Sequence, residues 1–189
     1  MRLFLGVIFS FLLIGNSSGQ INPLSVLGKV VTTSMDARSK AEVTADTEIA
    51  AGASKRLLDD KKAEWAGVTV LVFAQHVVIA GAVKSAEVKK RVEEVVRRDA
   101  RIRSLKNELL VGDMASLARD SALEAEINAT LTAAKGVSSV NMRWCATGGR
   151  VVLMGVAQSP QEASLAASKV RGIKGVKGFI SRLRTVPKK

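Results

Sequence analysis

The chain is 189 residues long, 47% hydrophobic and 24% charged, with a formal net charge of +12. That balance describes a globular chain of one domain or two small ones, and it excludes disorder as the default state. Aromatic residues make up 4% and Tyr is absent, which excludes a wide platform for stacking bases and leaves Val, Leu, Ile, Ala and Met to build the core.

The cationic excess draws the protein to polyanions (nucleic acid, acidic polysaccharide or anionic membrane) without choosing among them. The N-terminus narrows the choice. Met1-Arg2 precedes an apolar run from Leu3 to Ile14, followed by Gly15-Asn16-Ser17-Ser18-Gly19-Gln20. The run is short of the roughly 18 to 20 residues that a membrane-spanning helix needs. This is the pattern of a secretory signal peptide over 1–19, with Gln20 as the mature start; an uncleaved anchor is the alternative. Cys145 is the only cysteine, so no intramolecular disulfide forms, and without a Cys near the cleavage site no lipoprotein anchor is expected. Residues 20–45 are mixed in character, broken by Pro23, Gly28 and Thr32-Thr33-Ser34, and read as a tether. A short amphipathic helix from Leu24 to Val31 would be marginal alone.

The first folded unit is expected over 46–112. Asp46 is the expected N-cap of a helix carrying Ile49, Ala53 and Leu57 on one face, ending before Trp65-Ala66-Gly67. Val68, Val70 and Val72 alternate with Thr69, Leu71 and Phe73 as a strand, and Val77 to Ala80 forms its hairpin partner. Gly81 ends that strand, and Ser85 opens a helix with Val88, Val92, Val95 and Val96 on one face. A last strand is expected over Leu105, Asn107, Leu109 and Val111.

The second unit, over 113–189, repeats the first at an offset of 74 residues: Asp46 matches Asp120, Leu57 matches Leu131, Gly81 matches Gly155 and Val96 matches Val170. Leu123, Ile127 and Leu131 mark its first helix. Val140, Met142 and Trp144 share one side of the next strand, and Gly148-Gly149 supplies a turn with positive φ. Pro160 suits the first turn of a helix burying Ala163, Ala166, Ala167 and Val170, and the last strand spans about Val176 to Thr185. The expected fold class is α/β (α+β): two tandem αββαβ domains, each a three-stranded sheet with two helices on one face. Gly81 and Gly155 are expected to be structural, as turn positions at strand ends.

A duplicated αββαβ unit with Val-Val-Leu-Met-Gly on the second hairpin strand (Val151 to Gly155) and Gly175-Val176 before the last strand resembles the BON domain. The order of signal peptide, Asp36-Ala37-Arg38-Ser39 and two such units resembles the dual-BON envelope proteins of the DolP and OsmY type. The resemblance implies a non-enzymatic periplasmic protein, free or peripheral on the outer or inner membrane. Such a protein binds phospholipid and supports outer-membrane integrity or tolerance of osmotic and envelope stress. Two departures matter. The cleavage region lacks the lipoprotein Cys of the DolP type, which places it nearer the soluble OsmY type. The first helix of the second unit, Asp120 to Asn128, has no aromatic and three acids, so the lipid site of that helix is not carried over.

The charge map points elsewhere in the same unit. After Glu162 no acid follows, whereas Lys169, Arg171, Lys174, Lys177, Arg182, Arg184, Lys188 and Lys189 do. Lys169, Arg171, Lys174 and Lys177, at the end of the second helix and in the loop after it, are the candidate site for an anionic phospholipid surface; a merely solvated face is the alternative. No catalytic residue, cofactor or metal is expected: His76 is the only His, and no acids, His or Cys have ligand spacing. Trp144 is expected in the core, while Trp65 suits packing or a membrane interface equally. Rival functions are an adaptor for envelope-assembly proteins and a KH-like nucleic-acid binder. The second rests on Gly172-Ile173-Lys174-Gly175 and Gly175-Val176-Lys177-Gly178, but these lead from a helix into a strand and an exported protein rarely meets RNA, so no nucleic acid is expected.

Overall fold

A computed structural model describes residues 36–61 and 65–186. The expected signal peptide, the tether up to residue 35 with its short helix Leu24 to Val31, Lys188 and Lys189 lie outside the described residues, as does the side chain of Trp65.

The first helix begins earlier than expected. Ser39, not Asp46, is the N-cap of α1 (Lys40–Asp59): the Ser39 side chain accepts from the Glu42 amide and the Glu42 carboxylate accepts from the Ser39 amide, a complete capping box. Asp46 lies buried inside α1, where its carboxylate accepts from the amides of Ala74 and Gln75 at 2.7 and 2.6 Å. Those two residues are the turn between β1 (Val68–Phe73) and β2 (His76–Val83), both with positive φ (50° and 63°) although neither is glycine. The buried carboxylate holds this strained turn. Helix α2 (Ala86–Val96), capped by Ser85, then returns the chain to a strand parallel to β2. The single last strand expected over Leu105 to Val111 is instead β3 (Ser104–Asn107) and β4 (Leu110–Val111), both paired with β2. The Asn107 side chain makes the break, accepting from the Leu109 amide and donating to the Lys89 carbonyl and the Glu93 carboxylate.

The second repeat follows the same path through α3 (Ser121–Ala133), β5 (Met142–Thr147), β6 (Arg150–Ala157), α4 (Pro160–Arg171) and β7 (Gly178–Thr185). Its sheet order is β5-β6-β7, with β6 antiparallel to β5 and parallel to β7. Val140, expected on the strand, lies in the 3₁₀ turn Ser139–Asn141 before β5, and β7 starts at Gly178 rather than Val176. Gly148 and Gly149 form the hairpin turn with φ of 59° and 81°. Gly81 and Gly155 lie inside β2 and β6 rather than at their ends. Their φ values are +113° and +134°, and a Cβ on either would stand 2.0 Å from a carbonyl oxygen, that of Gly67 or Asn141.

Helices cover only one face of each sheet. In the first repeat Val70, Val72, Val77 and Ile79 pack with Ile49, Ala53, Leu57, Val92 and Val95 of α1 and α2. The opposite faces of the two sheets meet each other: Leu71, Phe73, Val78 and Ala80 form one buried cluster with Cys145, Val152, Met154 and Val156. The layers run helix, sheet, sheet, helix. The sheet contact has a polar rim, where Glu108 pairs with both Arg150 and Arg182, and the Ala37 amide donates to Asn141 Oδ1 at 2.8 Å.

Candidate functional site

The end of α4 places two of the predicted cations. Ala166, Ala167 and Val170 form its buried stripe, so Lys169 and Arg171 stand outside it, exposed in the last turn where the helix dipole favours positive charge. The Arg171 guanidinium stacks over the Phe179 ring, 4.7 Å from its centroid. The loop between α4 and β7 carries exposed Lys174 and Lys177. Gly175 has φ +102° with no atom near a would-be Cβ, so the loop there is free of bulk. The Lys177 amide donates to the Gly149 carbonyl at 2.8 Å, which ties the loop to the β5–β6 turn. Lys169 and Arg171 thus end α4, and Lys174 and Lys177 occupy the loop that follows it, all four exposed. Among the described residues, the ion pairs of the second repeat use Arg119, Arg150 and Arg182 and none of these four.

The first repeat supplies an internal control. At the 74-residue offset, Arg171 corresponds to Arg97, which pairs with Glu93 at 2.6 Å, and Lys177 corresponds to Arg103, 3.5 Å from Glu42. The acids have no counterparts in the second repeat, where Ala167 stands for Glu93 and Ser116 for Glu42. Arg101, held by Asp99 and Glu48, is replaced by Gly175. At that end of the unit Arg97, Arg101 and Arg103 have acidic partners in the first repeat, whereas the four cations of the second have none among the described residues.

Beside Lys177 opens a cleft of about 670 Å³ lined by Ser116, Asp120, Gly148, Gly149, Gly175 and Lys177 among others. It exists because α3 starts only at Ser121, whereas the first two turns of α1 continue to Lys40 at the matching place. Asp120 occupies the N-cap position of α3 but makes no cap bond; its carboxylate accepts from the Gly149 amide. Its counterpart Asp46 also pairs with Arg38 at 2.9 Å, and the residue matching Arg38 is Gly112. Arg119, on the cleft wall, is held by both oxygens of Glu124.

Other residues singled out by sequence have structural partners. His76 Nδ1 lies 2.6 Å from Ser104 Oγ; burial, then Arg184 and Arg103, push its pKa below the usual value. Cys145 is buried between the sheets, and burial pushes its thiol up. The Trp144 indole donates to the Glu124 carbonyl and packs against the core beneath α3 and α4. Among the described residues no His, Cys, Asp or Glu cluster is placed to hold a metal, and no helix is long and apolar enough to cross a membrane. Sequence reasoning gave no role to Asp36, Arg38 and Arg143. Arg38 bridges Asp36 and Asp46 and, with Arg143, lies over the Phe73 ring where the repeats meet. Burial, then the nearby Arg38, lowers the pKa of Arg143. The signal was Asp36-Ala37-Arg38-Ser39, a charged run just ahead of a helix.

A family model described as BON domain matches residues 45–113 and 119–187. An "Uncharacterized protein in gshII 5'region" of Anaplasma centrale is 33% identical over 124 residues, covering 64% of this chain and 82% of that protein. Among solved structures, CdsD, a structural protein of the type III secretion system of Chlamydia trachomatis, aligns at 10% identity and a TM-score of 0.33, covering 75% of this chain and 94% of that one. A structure of the C-terminal domain of CdsD aligns at 13% identity and a TM-score of 0.26, covering 78% of this chain and 66% of that one.

Proposed function

The chain belongs to the BON domain family, in two tandem copies, and from that membership we propose that it is an exported, non-enzymatic protein that binds anionic phospholipid through the second repeat. BON domains are generally non-catalytic. The observation that carries the proposal is the unneutralised surface of Lys169, Arg171, Lys174 and Lys177, set against a first repeat whose matching Arg97 and Arg103 are paired. Each cation near an anionic leaflet contributes about 1 kcal/mol, within a Debye length of roughly 10 Å at 0.1 M salt. Four together supply about 4 kcal/mol, a weak and salt-sensitive attachment that needs no inserted aromatic. The signal-peptide pattern of residues 1–19 supports the periplasm as the compartment, and family resemblance supports a part in envelope integrity or stress tolerance.

Vesicle sedimentation tests the surface. The wild-type protein is expected to sediment with vesicles containing anionic phospholipid at low salt and to be released as salt rises. K169E/R171E/K174E/K177E is expected to stay in the supernatant, while a control reversing exposed first-repeat cations, K40E/K90E/R98E/K106E, keeps most of the binding. Equal loss in both variants, or binding indifferent to salt and to anionic lipid, overturns the assignment and leaves a protein–protein adaptor ahead. Mass spectrometry of the protein from its host checks export, with Gln20 expected as the first residue.

A further inference from the structure

Among the described residues, the cleft beside Lys177 contains two opposite charges with no ion-pair partner. The Asp120 carboxylate bonds the Gly149 amide, and the Lys177 stem lies against the same residue, so close that a Cβ on Gly149 would stand 2.9 Å from its Cγ and Cδ. The two groups thus flank one glycine, yet their charges do not come within the 4.0 Å of an ion pair. In the first repeat the matching charges each have an opposite partner: the Arg38 guanidinium on Asp46 and the Glu42 carboxylate near Arg103. Both partners come from the start of α1 and the residues just before it, the part of the unit that the second repeat lacks in helical form. The first repeat shows by its own side chains what chemistry the second repeat's cleft accepts: a cationic nitrogen at the aspartate and an anion at the basic residue.

We propose that this cleft binds a zwitterionic phosphoethanolamine group, its ammonium on Asp120 and its phosphate on Lys177. The inference deepens the lipid-binding proposal and rests on it for the source of the ligand. A primary ammonium donates charge-assisted hydrogen bonds to a carboxylate, whereas a quaternary choline cannot and is held by aromatic faces instead. The cleft lining has no aromatic residue; Ser121 adds a hydroxyl, while that of Ser116 donates to the Asp113 carbonyl. The headgroup of an ethanolamine phospholipid presents the same two charges as the free compound, at a surface to which the four neighbouring cations hold the protein.

Titration of the isotope-labelled full chain by NMR tests the site with soluble probes. Phosphoethanolamine is expected to shift the amides of Gly148, Gly149, Gly175 and Lys177 and to bind about ten-fold tighter than phosphocholine or inorganic phosphate. Asp120→Asn, which still accepts from the Gly149 amide through its side-chain oxygen, is expected to lose that preference, and Lys177→Gln to weaken all three probes. Equal affinity for the three probes, shifts elsewhere, or a preference surviving Asp120→Asn overturns the site. Vesicles of equal anionic content carrying either ethanolamine or choline lipid identify the source. Stronger retention on ethanolamine vesicles, lost in Asp120→Asn, supports the lipid headgroup. Soluble binding at the cleft without vesicle discrimination supports the free compound and overturns the lipid source. If soluble phosphoethanolamine binding persists in K169E/R171E/K174E, which spares Lys177, while that variant still binds vesicles like the wild type, the charged-surface proposal fails and the cleft stands.

Discussion

At the scale of single residues, Gly155 and Gly175 both have positive φ, yet their surroundings differ, and that difference predicts different costs. A Cβ at Gly155 would meet the Asn141 carbonyl at 2.0 Å and the backbone of Met142 at 2.9 Å, whereas at Gly175 it meets nothing within 4 Å. Gly155→Ala is therefore expected to destabilise by about 3 kcal/mol or more, combining strain with forced backbone movement, and Gly175→Ala by only about 1 kcal/mol. Urea unfolding of the two variants compares them directly; equal midpoints would overturn the distinction. The charge of single residues predicts an acid limb in two steps. His76, a base whose folded pKa is depressed below 6.5 by burial and by Arg184 and Arg103, binds its proton more readily unfolded. Stability therefore falls as pH drops from about 6.5 toward the folded value and no further below it. The Arg101 guanidinium holds the Asp99 carboxyl down at about 2 from its usual 3.8, so its contribution, about 2 kcal/mol, is present above pH 3.8 and lost as pH falls toward 2. His76→Asn is expected to flatten the first step and Asp99→Asn to shrink the second, to which Asp36, Glu42 and Glu93, also held below their usual values, contribute; both are read from the melting temperature against pH.

At the scale of elements, the helix-to-hairpin aspartate is the device that both repeats share, and each builds it with a different backbone. Asp46 holds two turn amides and pairs with Arg38, while Asp120 holds only the Gly149 amide because the Gly148 amide goes to the Ala118 carbonyl. Removing Asp46 leaves the buried Arg38 guanidinium with Asp36 alone and takes the acceptor from the two amides of a non-glycine turn. Asp46→Ala is accordingly expected to cost about 3–5 kcal/mol and Asp120→Ala about 1–2 kcal/mol, by urea unfolding. The match of Asp46 with Asp120 was visible in sequence, but the N-cap role assigned to Asp46 followed a local rule. At Asp46 a better cap, Ser39 with Glu42 three residues on, lay upstream in what read as a tether. Asp120 does stand at the N-cap of α3, but its carboxylate is used on the Gly149 amide instead. Periodicity located the helices and hairpins because their buried stripes repeat at short range. It missed the break between β3 and β4, where Leu105 and Leu109 keep a strand-like alternation and only the Asn107 side chain diverts the backbone. The basic residues of the candidate site could be read from charge alone. Their cleft could not, since it depends on where α3 begins.

At the scale of the whole molecule, the two repeats form one stack because β2 and β6 are apolar on both faces. Val77 and Ile79 face the helices while Val78 and Ala80 face the other sheet, and Val151 and Leu153 alternate in the same way with Val152 and Met154. A continuous apolar run such as Val151-Val152-Leu153-Met154 is the sequence sign of a strand covered on both sides, and helices on one face alone leave its other half unexplained. Sheet-on-sheet packing also turns α4 and its cationic loop outward, away from the partner repeat, so the proposed membrane attachment and the joining of the repeats use opposite faces of the second unit. Coupled unfolding follows: the wild-type protein is expected to melt in a single transition whose van't Hoff and calorimetric enthalpies agree. Val152→Asp puts an unpaired carboxylate between the sheets, where Val152 is 3% exposed, while leaving the cluster beneath α3 and α4 untouched. It is expected to cost about 3 kcal/mol or more and to split the melt into two transitions, one for each repeat. Val151→Asp, aimed into the second repeat's own core, is expected instead to abolish that repeat's transition. A wild type that already melts in two steps, or a Val152→Asp variant that still melts in one, would show that the sheet contact does not couple the repeats.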